Sequence, residues 1–149
     1  MPSPAPVSLV VMGVAGCGKS TLAAVVAGHL GRAWLEGDEF HSAASRRKMA
    51  KGEPLTDQDR AGWLASLCEP LRLRPGLVLT CSALKRAYRD QLRAASPGLR
   101  FAFLDIDKAE AARRVSTRGG HFFAASLIDS QFETLEPPVG EPGVLRLDA

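Results

Sequence analysis

The sequence predicts a three-layer α/β/α fold on a mostly parallel sheet, and three observations carry that prediction. Short apolar runs of strand length alternate with segments of helical length. The first run, residues 7–12, leads into the glycine-rich loop Gly13-Val14-Ala15-Gly16-Cys17-Gly18-Lys19-Ser20-Thr21, followed directly by a helical segment. Pro75-Gly76 and Pro97-Gly98 turn the chain into two later apolar runs. Alternation of this kind builds βαβ units, which place strands parallel and helices on both faces.

The elements follow in order. Residues 20–30 are apolar nearly all round, as expected of a helix packed on a sheet, and Gly31 is placed to end it. A short strand at 33–35 ends in Glu36-Gly37-Asp38, with His41 three residues on. Residues 43–51 read as a basic helix stopped by Gly52 and Pro54. Thr56-Asp57-Gln58-Asp59 resembles a capping box with Asp at the fourth position and opens a helix to about residue 73. On it Trp63, Leu64, Leu67 and Leu71 recur at helical spacing, so Trp63 reads as core. A buried strand at 77–81 precedes Ser82-Ala83-Leu84-Lys85-Arg86 and a helix to residue 95; a third strand spans 100–104. Asp107 caps a helix to Thr117, and a glycine-bearing segment, about 118–126, reads as a mobile lid flanked by helices. After Pro137-Pro138 comes a last strand, 143–147.

Composition bounds the function. At 149 residues and 46% hydrophobic, the chain makes one domain. No apolar run approaches membrane-spanning length and the N-terminus lacks a secretory pattern, so a cytoplasmic protein without a membrane partner is expected. Three cysteines without a CxxC pair read as reduced thiols. The net charge of +3 comes from scattered basic residues rather than an aromatic-interleaved run, so an anionic small substrate explains it without nucleic acid.

The loop GVAGCGKST has the GxxxxGK[ST] spacing of a P-loop. Its backbone N–H groups, from Gly13 through Thr21, curl round a phosphate chain at the positive end of the following helix. Lys19 would reach the β- and γ-phosphates of ATP, and the Ser20 hydroxyl would sit on Mg²⁺. Ligands in such sheets bind beyond the carboxyl ends of the strands, so the Glu36–His41 cluster faces the loop from the acceptor side. Asp38 is the candidate to orient the acceptor hydroxyl and take its proton late in transfer; its alternative is a helix cap. Glu36 could hold Mg²⁺ through water, or be a surface carboxylate. His41, at a fixed offset from Asp38, is a candidate acceptor contact. Arg60 either pairs locally with Asp57 or lines the acceptor pocket. Lys85, just past a strand end, suits binding of the acceptor or of the transferred phosphoryl group. Arg114 and Arg118 lie one helical turn apart and can both face the nucleotide.

Block by block, GVAGCGKST, LEGDEFH, RRKMAKGEPLTDQDR, CSALKRAYRD, RGGHFF and QFETLEPP resemble the gluconate kinases, or gluconokinases, over residues 8 to about 147. The resemblance implies an adenylate-kinase-like or shikimate-kinase-like P-loop fold, ATP and Mg²⁺ as cofactors, D-gluconate as acceptor and a homodimer. It singles out Lys48 beside the gluconate carboxylate, and makes His121 with Phe122 and Phe123 the lid's docking edge against the substrate. Another polyhydroxy acid, such as shikimate, is the rival acceptor, and a nucleotide-binding regulatory protein the rival class. Ser42 and Ser45 stand where the family usually has Pro and Asn, which loosens the acceptor loop. Thr56 replaces a common Asn and keeps the cap. The further helix that family members carry after the last strand has no counterpart before Ala149.

Overall fold

The computed structural model describes residues 6–117 and 125–149. Five strands form one sheet in the order β2-β3-β1-β4-β5, every pairing parallel. They are β1 (Leu9–Met12), β2 (Trp34–Glu36), β3 (Val78–Thr80), β4 (Arg100–Asp105) and β5 (Val144–Asp148). The helices are α1 (Lys19–Leu30), α2 (Ala43–Ala50), α3 (Asp57–Leu73), α4 (Arg86–Ala95), α5 (Lys108–Thr117) and α6 (Ala125–Thr134). A 3₁₀ turn, Gly37–Phe40, sits between β2 and α2; no hydrophobic periodicity announces it.

Strand side chains alternate between the two faces, and two cores result. Val10, Met12, Leu77, Leu79, Phe101 and Phe103 pack with Trp63, Leu64, Leu67, Leu71 and Leu92 of α3 and α4. Val11, Val78 and Leu104 pack with Ala23 and Ala27 of α1, Ala111 of α5 and Ile128 of α6. The predicted three-layer architecture is therefore the observed one.

Most local expectations hold, with ends shifted by a residue or so. Gly31 ends α1 with φ 65°, a value that costs glycine nothing. Thr56 and Asp59 form a reciprocal capping box on α3, 3.1 and 2.9 Å. Asp107 Oδ1 accepts the Glu110 N–H, 2.8 Å, at the start of α5. Two expectations need correction. Only Ala23 and Ala27 of α1 are buried, and Val25 stays 64% exposed, because α1 lays one small-residue stripe on the sheet. Ser42, expected to loosen its loop, caps α2 by accepting the Ser45 N–H, and Ser45 is itself buried. The lid segment's residues 118–124, with Arg118 and His121, lie outside the described residues.

Candidate active site

Parallel strands deliver their carboxyl ends to one edge of the sheet, and there β1, β2 and β3 hand over the loop, the acidic turn and the Ser82–Lys85 segment. The loop is tight because glycine permits it. Gly16 has φ 82°, and a Cβ on it would come 2.9 Å from the Ala111 carbonyl of α5. Lys19 Nζ donates to the carbonyls of Gly13 and Val14, 2.9 and 3.1 Å, so its ammonium arches over the loop's inner face. Arg114 leans onto the same loop, donating to Gly16 O and Cys17 O at 3.4 Å each, while Glu110 holds its Nε at 3.0 Å. The guanidinium groups of Arg113 and Arg114 hold the Glu110 carboxyl down at about 2. Gly16, Cys17, Gly18, Thr21, Leu22, Val25, Leu104 and Arg114 line an open cleft of about 420 Å³. The exposed Val25 thus forms cleft wall.

Behind the loop a chain of hydroxyls and one carboxylate joins three elements. Ser20 Oγ donates to Glu36 Oε2 at 2.6 Å, and Thr80 Oγ1 donates to Glu36 Oε1 at 2.5 Å. Thr80 Oγ1 also accepts the Gly37 N–H at 3.0 Å. β2 and β3 approach so closely here that a Cβ on Gly37 would lie 2.0 Å from Thr80 O. Because Ser20 gives its single proton to Glu36, its oxygen lone pairs remain available to a cation. Among the described residues no cluster of three or more His, Cys, Asp or Glu is arranged for a metal. That donor set fits Mg²⁺, which takes one or two protein oxygens and completes its shell with phosphates and water.

A second hollow adjoins the loop, lined by Asp38, His41, Met49, Pro54, Leu55, Arg60, Trp63, Ser82, Leu127, Ser130 and Gln131. Asp38 is half exposed, at the mouth, with Oδ1 3.9 Å from His41 Nε2. The side chain of His41 is buried and stacks on Trp63, ring centroids 4.4 Å apart. Its Nδ1 is the buried side-chain polar atom left without a partner among the described residues. Burial, reinforced by Arg60 and Arg46 and opposed by Asp38, lowers its pKa, which keeps the ring neutral at pH 7. Trp63 does more than fill core: its Nε1–H donates to Gly37 O at 2.8 Å and so fixes the acidic turn.

Arg60 settles into this hollow, buried on α3. It does not pair with Asp57. Its guanidinium donates to the Tyr88 hydroxyl at 3.4 Å and stands 5.8 Å from that ring's centre, with no carboxylate in ion-pair contact among the described residues. Tyr88 in turn donates to Asp57 Oδ1, and Lys85 Nζ donates to both Asp57 oxygens, 2.9 and 3.1 Å. The Tyr88 hydrogen bond, then that of Lys85, lowers the Asp57 pKa; the Asp57 hydrogen bond raises that of Lys85. Lys48 donates to Asp59 Oδ2 at 2.8 Å, which with the Thr56 N–H brings the Asp59 carboxyl to about 2. The structure therefore brings Asp38, His41 and Arg60 together and leaves Lys48 and Lys85 outside the lining, each tied to the first turn of α3.

Several contributors have no chemistry that the sequence announces. Thr80 and Gln131 touch the site directly; Gln131 Oε1 accepts the Ala15 N–H of the loop at 2.7 Å. Arg89 is fully buried and binds the carbonyls of Ala83, Leu84 and Glu136 together with the Glu141 carboxylate. It thereby clamps the turn before Lys85, where Ala83 adopts φ 45°. Apart from the Arg89 bonds to Ala83 and Leu84, these partnerships span more than forty residues, so no local pattern shows them.

A phosphate-cradling loop at a parallel sheet's carboxyl edge, with a separate polar hollow beside it, defines a P-loop kinase acting on a small molecule. The chain belongs to the gluconokinase family. It is 49% identical over 144 residues to gluconokinase from Gluconobacter oxydans, covering 93% of this chain and 80% of that one. It superposes with TM-score 0.89 on the crystal structure of a gluconokinase from Sinorhizobium meliloti, 47% identical, over 96% of this chain and 82% of that one. A shikimate kinase from Bacteroides thetaiotaomicron, 16% identical, shares the fold with TM-score 0.62, over 96% of this chain and 86% of that one. No protein-family model matches the chain. Among the described residues, no helix is long and apolar enough to cross a membrane.

Proposed function

We propose that the chain transfers the γ-phosphoryl group of ATP to the 6-hydroxyl of D-gluconate, giving 6-phosphogluconate and ADP. The observation that carries the acceptor is Arg60. A buried guanidinium with no carboxylate in ion-pair contact among the described residues is costly, and in this hollow it is the natural seat for the carboxylate of a sugar acid. A neutral sugar would leave that charge uncompensated.

The roles follow from position. The loop amides and Lys19 hold the phosphates, Arg114 neutralises charge from the α5 side, and the wall of Leu22 and Val25 suits the base. Ser20 would hold Mg²⁺ directly and Glu36 would hold one of its waters; the ion supplies charge neutralisation across the phosphates. Asp38 orients the acceptor hydroxyl and accepts its proton as transfer completes. Neutral His41 donates or accepts at a sugar hydroxyl through its unpartnered Nδ1. Lys48 of α2 and Lys85 at the N-cap of α4, each ion-paired with a carboxylate in the first turn of α3, contribute positive potential, Lys85 toward the transferred group. Arg118 and His121 complete the site from the lid segment. The protein would act as a homodimer, as the family resemblance implies.

ADP release with Mg·ATP across gluconate, shikimate, glucose and glycerate tests the reading. Turnover should be specific to gluconate and abolished by Lys19→Ala. Arg60→Met should raise the KM for gluconate about 30-fold or more, the value of a charged hydrogen bond, with the KM for ATP unchanged. Equal turnover with glucose would refute the acceptor assignment, and ATP binding without turnover on any acceptor would favour a regulatory protein.

A further inference from the structure

Gln131 is the side chain that touches both halves of the site: it lines the acceptor hollow and it binds the phosphate loop. Its orientation is determined by chemistry. A backbone N–H can meet only the oxygen of a carboxamide, so the atom 2.7 Å from Ala15 N is Oε1. The amide NH₂, with two donors, is then turned away from the loop, and among the described residues it has no hydrogen-bond acceptor. The loop on one side holds the phosphate chain; the hollow on the other holds Asp38, His41 and Arg60. What must cross between them in the reaction proposed above is the phosphoryl group.

We propose that Gln131 is a catalytic residue whose Nε2 donates to an oxygen of the phosphoryl group in transit, while its Oε1, anchored on Ala15, keeps that donor aimed. The inference rests on the kinase reading. It also explains a carboxamide at this position, since it needs one acceptor and one donor on the same planar group.

Gln131→Glu separates the two ends of the amide. The carboxylate can still accept from Ala15 N–H, but it sets a second, negative oxygen where the donor stood. ADP lacks the γ-phosphoryl group and an imido analogue of ATP retains it, so calorimetric affinities for the two, with Mg²⁺, isolate the contact. In Gln131→Glu the analogue's affinity should fall at least about tenfold relative to that of ADP, and kcat with gluconate at least about a hundredfold, with the melting temperature held. An unchanged ratio of the two affinities would overturn the proposal. So would parallel losses for both nucleotides, which would confine Gln131 to shaping the loop. The affinity ratio needs no acceptor: wild-type protein inert toward gluconate would sink the acceptor reading and leave this one to be decided by binding.

Discussion

Thr80 shows how one hydroxyl can couple a strand pair to a reaction centre. It is buried, donates to Glu36 and accepts from Gly37, so it sets both the carboxylate facing Ser20 and the backbone from which Asp38 departs. Thr80→Val preserves shape and removes both hydrogen bonds. The magnesium concentration that half-saturates nucleotide binding should rise about tenfold or more, the usual effect of losing a partner behind a metal-facing group. Thr80→Ser should restore it, whereas an equal requirement in all three proteins would remove Thr80 from the site. At this scale the sequence was legible where chemistry is written in consecutive residues. Lys19, Ser20, Asp38 and His41 were named because motif and offset point to them. Thr80 and Arg89 were not, because their partners Glu36 and Glu141 stand 44 and 52 residues away, and Gln131 stood in the QFETLEPP block without assigned chemistry because its partner Ala15 stands 116 residues away.

Among the elements, α3 and α4 carry the strongest electrostatic commitments. The capping box at Thr56 also supplies the carboxylate that holds Lys48, so Thr56→Ala should cost about 1 kcal/mol, read by urea denaturation. The Arg89–Glu141 pair has side chains 0% and 4% exposed, and Arg89, aided by Arg93, holds the Glu141 carboxyl at about 2. In the unfolded chain that carboxyl titrates near 4.3. On acidification the unfolded state therefore takes the proton first. The stabilisation is complete above roughly pH 5 and is lost as pH falls toward 2. Glu141→Gln should lower stability by about 3 kcal/mol at pH 7, because Arg89 is left buried and uncompensated, and should flatten the loss between pH 5 and 3. Equal acid sensitivity in wild type and variant would count against this account. Helix ends were readable here because caps are local. The half-bare face of α1 was misread because an all-apolar helix has no stripe to say which side meets the sheet, and Val25 faces the cleft instead.

For the whole molecule, the alternation of strands and helices foretold helices on both faces of the sheet; the two cores that result determine the state of the thiols. Cys17, Cys68 and Cys81 are all buried, and burial pushes the Cys81 thiol up to about 12. Native protein at pH 8 should react with a thiol reagent only as fast as it opens, then release three equivalents once denatured. Rapid labelling of the native state would show the cores to be looser than described.

All the chemistry described above lies at the carboxyl edge of a sheet whose strands run one way. The opposite edge is then free of it. Pro97 and Gly98, exposed where the chain enters β4, form a natural handle there. A fluorophore, an affinity tag or a tether to a solid support placed at that turn would present the cleft and hollow outward, so the protein is built to be immobilised by its back.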